Sequence, residues 1–383
     1  MKKIAILGVN YVGNVGDLYI LDSILNYLSK YERNISIDIF PYPLKFDKKI
    51  AAFELFESRF NINIVEPPFA IYKALDHLAR KFPLVENITK KLYFSYIGKI
   101  LRSKSNENIN CYDYVISVGG EMDIPYSLLD IHSYIKSTMF SPSTKLIYGP
   151  ISITPNRKNI KFLIERFKEV NINVGIRDPK SKDWLSTIGI HNTQLVPDCA
   201  FLSWQQQAKV KEKKAIGVCL HASWFGKLEK AKELIMATQH VAINADKKLI
   251  VFCTNIYEDY ELMVALKKYF KNDTSIEFII PKTSQDLVNL VRNFELIISD
   301  RLHALLSGMI NGANILPLST RHKVVGYCNY VGLTNYISLD DDQKSIITSI
   351  ENQLSDTHAK ILLNDFCKRS SEKICDFYGK LQI

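Results

Sequence analysis

Two stretches in the last third of the chain carry residue types that could do chemistry together. Leu296–Ser299 is a short apolar run ending in Asp300-Arg301-Leu302-His303, and after a helix of small and apolar residues Asn314–Leu318 runs into Arg321-His322-Lys323. In an α/β sheet, corners at the carboxyl ends of strands are where ligands bind. Two such corners holding two arginines, two histidines and a lysine read as a seat for an anion, since charge-assisted hydrogen bonds from fixed cations are the strong ones.

Three more corners have chemistry-bearing side chains. Gly13-Asn14-Val15-Gly16-Asp17 follows the first strand and opens a helix, where glycines allow close backbone approach and the helix N-terminus favours anions. It lacks the third glycine of the dinucleotide fingerprint. Asp17 either caps that helix or acts as a base on a sugar hydroxyl, with Asn14 beside it. Ser117-Val118-Gly119-Gly120-Glu121-Met122-Asp123 is either a plain tight turn or a corner whose carboxylates, Glu121 and Asp123, hold sugar hydroxyls. Arg177, at a strand end before Asp178-Pro179, is either a surface residue paired with Asp178 or a bidentate ligand for a carboxylate or phosphate.

These corners need a sheet to hold them. Apolar strand-like runs at Lys3–Val9, Ile35–Phe40, Tyr114–Val118, Lys145–Tyr148, Ile172–Gly175 and Gln194–Val196 alternate with helical patterns such as Leu18–Lys30. A polar stretch at 205–214 interrupts the alternation, which restarts with Ala215–Leu220, Leu249–Cys253, Ile276–Ile280, Leu296–Ser299 and Asn314–Leu318. The expected fold class is α/β, with two Rossmann-like doubly wound domains facing across a cleft. The expected division is 1–204, a linker at 205–214, 215–345, and C-terminal helices over 346–383 packing back on the first domain.

Composition narrows the class. The 383 residues exceed one ordinary core, and 47% hydrophobic with 23% charged residues is typical of a globular chain. No apolar run approaches the roughly 20 residues of a membrane helix, and the opening MKKIAILGVN is too short for a signal peptide. Seven scattered cysteines without a CxxC spacing point to buried thiols in a reducing cytosol, with neither a zinc site nor a disulfide framework. The formal charge of +9 suits an anionic partner, but dispersed basic residues without a nucleic-acid module argue against nucleic acid. The basic, aromatic stripe Lys90–Lys104 is either an ordinary amphipathic helix or a peripheral contact with an anionic membrane.

With GNVGD, SVGGEMD, GIRDPKSKDWLSTIG with VPDCAF, and SDRLHALLSGMINGANILPLSTRHKVVGY in hand, the sequence resembles the polysaccharide pyruvyl transferase family over residues 8 to about 332. The resemblance implies a GT-B-like fold and transfer of the enolpyruvyl group of phosphoenolpyruvate onto two hydroxyls of a sugar, giving a pyruvate ketal and phosphate. It implies phosphoenolpyruvate as co-substrate with no resident cofactor or metal, and a polysaccharide or lipid-linked saccharide as acceptor. A cytoplasmic location, peripheral at the inner face of the membrane, goes with that acceptor. Carried over by motif, the donor-binding residues are Arg177, Arg301, Leu302, His303 and Lys323, while the corners themselves offer Asn14, Asp17, Glu121 and Asp123 as the expected acceptor-binding residues. The chain departs from the family pattern at Glu121, where members keep a third glycine, and at the segment YGPISITP. His303 is the expected acid, since an imidazole titrates near about 6.5, and Asp17 the expected base for the acceptor. Two other classes stay open: a GT-B glycosyltransferase using a nucleotide sugar, and a non-catalytic module binding glycans or anionic surfaces.

Overall fold

The computed structural model describes residues 1–7, 14–31, 34–40, 59–64, 112–118, 121–122, 144–153, 172–205 and 213–379. The chain divides into two compact units, and the division is not the one expected from sequence. The first unit holds Met1–Val12, Leu25–Asp198 and Phe377–Ile383, and the second holds Gly13–Ile24 and Cys199–Asp376. The boundary therefore falls inside the VPDCAF motif, ahead of the expected linker at 205–214, of which 206–212 lie outside the described residues.

In the first unit the strands are β1 (Lys2–Leu7), β2 (Ile35–Phe40), β3 (Ile62–Ile64), β4 (Tyr114–Ser117), β5 (Glu121–Met122), β6 (Lys145–Ile153), β7 (Ile172–Ile176) and β8 (Thr193–Leu195). They form one parallel sheet in the order β3-β2-β1-β4-β6-β7-β8, with β5 on β6. The apolar run at Lys145 was expected to stop at Tyr148. Instead β6 continues through a register shift at Gly149-Pro150, where Gly149 has φ +90° and an added Cβ would stand 2.4 Å from the Gly175 carbonyl oxygen. Only glycine fits that backbone.

The second unit has five parallel strands, β9 (Ala215–Cys219), β10 (Lys248–Phe252), β11 (Ile276–Ile279), β12 (Phe294–Ser299) and β13 (Asn314–Pro317), in the order β11-β10-β9-β12-β13. Near-continuous apolar strands such as AIGVC and FELIIS, with a single half-exposed residue between them, are what a parallel sheet covered on both faces requires. On one face Ile216, Val218, Leu249, Val251, Leu296 and Ile298 pack against α3 (Leu228–Asn244) through Leu234, Ile235 and Val241 and against α8 (Gln343–Ser355) through Ile346 and Ile350. On the other, α6 (Leu302–Ile310) approaches so closely that a Cβ on Gly308 would meet Ile297 Cδ1 at 2.5 Å. Around them lie α4 (Ile256–Tyr269), α5 (Ser284–Val291) and α7 (His322–Val331).

Three helices need separate mention. Helix α1 (Val15–Tyr31) begins in the second unit and ends in the first, while α2 (Pro179–Thr187) belongs to the first. The C-terminal helices were expected on the first domain, but α8 and most of α9 (Thr357–Gly379) belong to the second unit. Only the end of α9 joins the first, where the Tyr378 hydroxyl donates to the Gly149 carbonyl at 3.1 Å. Six cysteines among the described residues are free thiols, five of them buried, as the scattered spacing suggested.

In both sheets the first strand in sequence and the fourth major strand are neighbours with connections running off in opposite directions, which creates a crevice at their carboxyl ends. In the second unit that point is between β9 and β12. These two strands also pack through Gly217, where an added Cβ would stand 2.7 Å from the Phe294 ring. The substitution G217A should therefore lower stability by about 1–3 kcal/mol through overpacking. The reading is a lower denaturation midpoint with an unchanged m-value; an unmoved midpoint would mean that Phe294 has room to yield.

Candidate active site

At the carboxyl end of β12, Asp300 is fully buried. Its Oδ1 accepts the backbone N–H of His221 at 2.8 Å, and its Oδ2 accepts the Trp224 indole N–H at 2.9 Å and the Thr320 hydroxyl at 2.7 Å. A buried carboxylate is tolerable only when its oxygens are so occupied. These bonds tie together the segments that leave β9, β12 and β13, the strands around the switch point.

The next residue, Arg301, was expected to face a donor anion. Instead its guanidinium is engaged by α4: Nε donates to Asp259 Oδ2 at 3.0 Å, Nη2 bonds Asp259 Oδ1, and Nη2 donates to Glu258 Oε2 at 2.7 Å. Asp259 also accepts the Ala222 N–H at 2.9 Å. Burial pushes the Asp259 carboxyl up to about 6 against the pull of Arg301, while the two carboxylates hold Arg301 above its ordinary range. His221 lies alongside, with Nδ1 accepting the Ser223 N–H at 3.1 Å and Nε2 3.6 Å from Glu258. Burial, Arg301 and Arg321 push its imidazole down to about 4, so it is neutral at physiological pH.

His303 sits in the first turn of α6 against the start of α1, and the fit is close. A Cβ on Gly16 would stand 2.6 Å from both Cβ and Nδ1 of His303, so glycine is required there. Asp17 Oδ1 is 3.6 Å from His303 Nδ1. Asn14, not Asp17, caps α1: its side-chain oxygen accepts from Gly16 N at 3.1 Å and Asp17 N at 3.3 Å, and its amide donates to Asp17 Oδ2 at 2.9 Å. The motif is latched onto the end of β10, with Val15 N–H donating to Thr254 O at 2.8 Å and Asn14 bridging Asn255. The expectation that Asn14 and Asp17 serve an acceptor half in the first domain is thus corrected, because both belong to the second unit.

The two basic corners are alike in helix geometry. Arg301 is the N-cap of α6 with His303 two residues in, and Arg321 is the N-cap of α7 with Lys323, half-buried, two residues in. Neither helix has a side-chain cap or an acidic residue in its first turn, whereas α2, α4, α5 and α8 are capped by Asp178, Asn255, Thr283 and Asp342. Basic side chains at a helix N-terminus oppose the macrodipole, at roughly 0.3–1 kcal/mol each, unless an anion is bound there.

The remaining expectations fare differently. Arg177 is 1% exposed in the first unit, where Nη1 donates to Asp198 at 2.7 Å and Nε to Ser152 at 2.7 Å. It pairs with neither solvent nor Asp178, which caps α2, so a cleft-facing Arg177 is corrected to a buried brace between the ends of β6 and β7 and the segment after β8. Leu302 turns its side chain into the core, leaving only its backbone for a ligand. The Glu121 side chain, Asp123, the His322 side chain and the whole Lys90–Lys104 stripe lie outside the described residues. Sequence reasoning assigned no role to His221, Trp224, Asp259 or Asp300, and Arg321 entered it only as part of the second basic corner. The SDRLH corner contained a signal for Asp300, but nothing in YEDYE singled out Asp259.

Removing Arg301 leaves Asp259 buried without its counter-charge, which typically costs about 3–5 kcal/mol. R301Q is expected to lose that much, and D259N/R301Q to lose less than the sum of the single variants in a denaturant double-mutant cycle. The folded-state carboxyl already titrates above its unfolded value, so it favours the fold at low pH and loses that advantage as pH rises through about 6. The R301Q deficit should accordingly be larger at neutral pH than at mildly acid pH. Strict additivity would show that the pair does not act as a unit.

The sequence matches the family model for polysaccharide pyruvyl transferase over residues 14–322. No curated protein matches it. Among solved structures, the fold is similar to that of a Methanocaldococcus jannaschii UDP-GlcNAc 2-epimerase in complex with UDP-GlcNAc and UDP, at 15% identity and TM-score 0.58 over 97% of this chain and 100% of that one. A Neisseria meningitidis UDP-GlcNAc 2-epimerase bound to UDP-GlcNAc gives 12% identity and TM-score 0.59 over 99% and 100%. Medicago truncatula UGT71G1 complexed with UDP-glucose gives 13% and 0.57 over 99% and 97%. At these identities the likeness is one of fold, GT-B with parallel α/β units, while the family match covers parts of both units, from the second residue of GNVGD to His322 in the last motif. The chain belongs to the polysaccharide pyruvyl transferase family.

Proposed function

We propose that the chain transfers the enolpyruvyl group of phosphoenolpyruvate to two hydroxyls of a saccharide, in a polysaccharide or its lipid-linked precursor, releasing phosphate. The observation that carries this reading is His303, seated on Gly16 with Asp17 at 3.6 Å, in the first turn of a helix whose neighbour presents Arg321 and Lys323 in the same way. Phosphoenolpyruvate has a phosphate and a carboxylate. Two adjacent helix N-termini with a basic side chain in each first turn suit a compact ligand with two anionic ends.

The chemistry assigns each group a task. A proton from the Asp17–His303 pair adds to the methylene carbon, making it a methyl and leaving cationic character on the central carbon. A sugar hydroxyl attacks that carbon and gives its proton back to the Asp17–His303 pair, which restores the acid. The second hydroxyl attacks as the carbon–oxygen bond to phosphate breaks, and its proton leaves with the phosphate. Asp17 is reassigned from acceptor base to partner of His303, orienting the ring and balancing its charge. Lys323, Arg321 and the amides of the two first turns hold phosphate and carboxylate, while Arg301 and Arg177 act through the shape of their corners. No resident cofactor enters this scheme.

H303A and K323A should each lower phosphate release from phosphoenolpyruvate by about 10²–10⁴-fold with the fold intact, as expected for a positioned acid or a lost anion contact. G16A should lower it by about 10²-fold by displacing His303 roughly an ångström. The assay runs against a panel of galactosides, glucosides and N-acetylhexosaminides with NMR of the product. Near wild-type release by H303A would sink the assignment, and no release with any acceptor would favour a non-catalytic glycan-binding role.

The complexes of the structural relatives with UDP-sugars motivate one competing reading, a nucleotide-sugar donor at the same switch point. Bound ligand stabilises by mass action, so thermal unfolding should rise with phosphoenolpyruvate and not with UDP- or GDP-sugars. The reverse pattern would transfer the site to nucleotide-sugar chemistry.

A further inference from the structure

At the amino ends of β9, β10 and β12, the edge of the second sheet away from the candidate site, basic residues crowd around a single carboxylate. Lys247 Nζ lies 2.8 Å from Glu295 Oε2 and Lys360 Nζ 3.0 Å from Oε1, and Lys247 also donates to the Lys213 carbonyl at 2.8 Å. Lys213 Nζ donates to the Asn311 carbonyl at 2.7 Å, and Arg292 Nε reaches the Asn311 side chain at 3.4 Å. Lys214 and Lys248 join the same edge, the Lys248 N–H donating to Lys214 O at 2.9 Å, and both are exposed, as is Arg292. Burial first, and then the charge of Lys360, push the Lys213 amine down to about 8. Asp246, one residue before Lys247, and Asp356, whose carbonyl accepts from the Asn314 side chain at the start of β13, are further carboxylates here, and Asp273 lies ahead of β11.

Apolar side chains flank the cluster. Ile243, 60% exposed, ends α3 four residues before Lys247, and Ile361, 62% exposed, follows Lys360. Most globular surfaces keep such aliphatic groups covered or scattered, whereas exposed isoleucines beside hydrated lysines are the combination that seats a protein on an anionic bilayer. Lysines on flexible stems suit a diffuse charged surface better than a fixed bidentate anion. Among the described residues no helix is long and apolar enough to cross a membrane.

We propose that this amino edge, Lys213–Lys214, Lys247–Lys248, Arg292 and Lys360 with Ile243 and Ile361, docks on a membrane of anionic phospholipid. The other edge of the same sheet then faces away from the headgroups, and the surface is separate from the residues assigned to chemistry. The inference does not depend on the identity of the donor.

The test is co-sedimentation of the full chain with phosphatidylcholine vesicles with and without phosphatidylglycerol, at low and high salt. Binding is expected only with the anionic lipid, and to weaken with salt. Each exposed cation removed should weaken it by about fivefold, so K214Q/K248Q/R292Q should lose about a hundredfold, and I243S/I361S should lose binding at unchanged charge. A cooperative thermal unfolding transition retained by these variants checks that they are folded, whichever donor the site takes. Equal binding to neutral vesicles, no binding at low salt, or full binding by the triple variant with loss on neutralising Lys90–Lys104 would each overturn the proposal. So would tighter binding to a soluble polyanion than to anionic vesicles.

Discussion

A carboxylate with no access to water is costly to hold, and Asp300 is held by three donors from the two segments that follow β9 and β13. That constraint fixes more than one side chain. His221 follows β9, Trp224 sits in the 3₁₀ turn after it, and Thr320 follows β13, so one charge sets where three loops leave the sheet. Helices α6 and α7 start directly from two of those loops. The directions in which their first-turn N–H groups point are therefore consequences of a buried bond pattern, not of loop sequence alone.

Around this anchor the charges are sorted by what neutralises them. Arg301 has carboxylates on α4, and Arg177 has Asp198 in its own unit. Their charges are largely spent inside the protein, and their effect on a ligand is geometric. His303, Arg321 and Lys323 stand, like Arg301, at helix N-termini, where a cation opposes the dipole at a local cost in stability, and His303 has Asp17 at 3.6 Å. His221 completes the pattern as a neutral imidazole among arginines, able to donate a hydrogen bond without adding charge.

The elements of the sheets were legible because parallel strands buried on both faces leave unbroken apolar runs, and their carboxyl ends carry recognisable corners. Partners were not. Arg177 and Asp198 are separated by 21 positions, and no pattern says that the arginine turns inward to meet that acid. Asp259 lies in a helix whose acidic residues look like an ordinary solvated face, yet it is fully buried. The continuation of β6 past Pro150 depends on a register shift with β7 that sequence does not encode locally. The GNVGD corner was expected either to cap a helix or to meet a ligand, but the unit it belongs to could be found only from contacts spanning some 240 to 290 positions, Val15 to Thr254 and Gly16 to His303.

That last misplacement has a physical lesson about how the site is built. Proximity in sequence to β1 suggested that Asn14 and Asp17 face the same ligand as the first sheet. The backbone bond to Thr254 and the missing Cβ of Gly16 instead make the start of α1 a wall of the second unit, closing over His303. A histidine alone at the end of a strand would be free to choose among rotamers and protonation states. Enclosed by a glycine that leaves it room, beside a carboxylate that accepts from the Asn14 amide, it has a close-fitting seat next to a charged group. Relatives of this fold with nucleotide-sugar ligands share the sheets at 12–15% identity, so what distinguishes the chemistry must lie in such seats. Here the seat is assembled from three segments far apart in sequence, the start of α1, the residues after β10 and the start of α6, held together by a backbone hydrogen bond and by the room that Gly16 leaves.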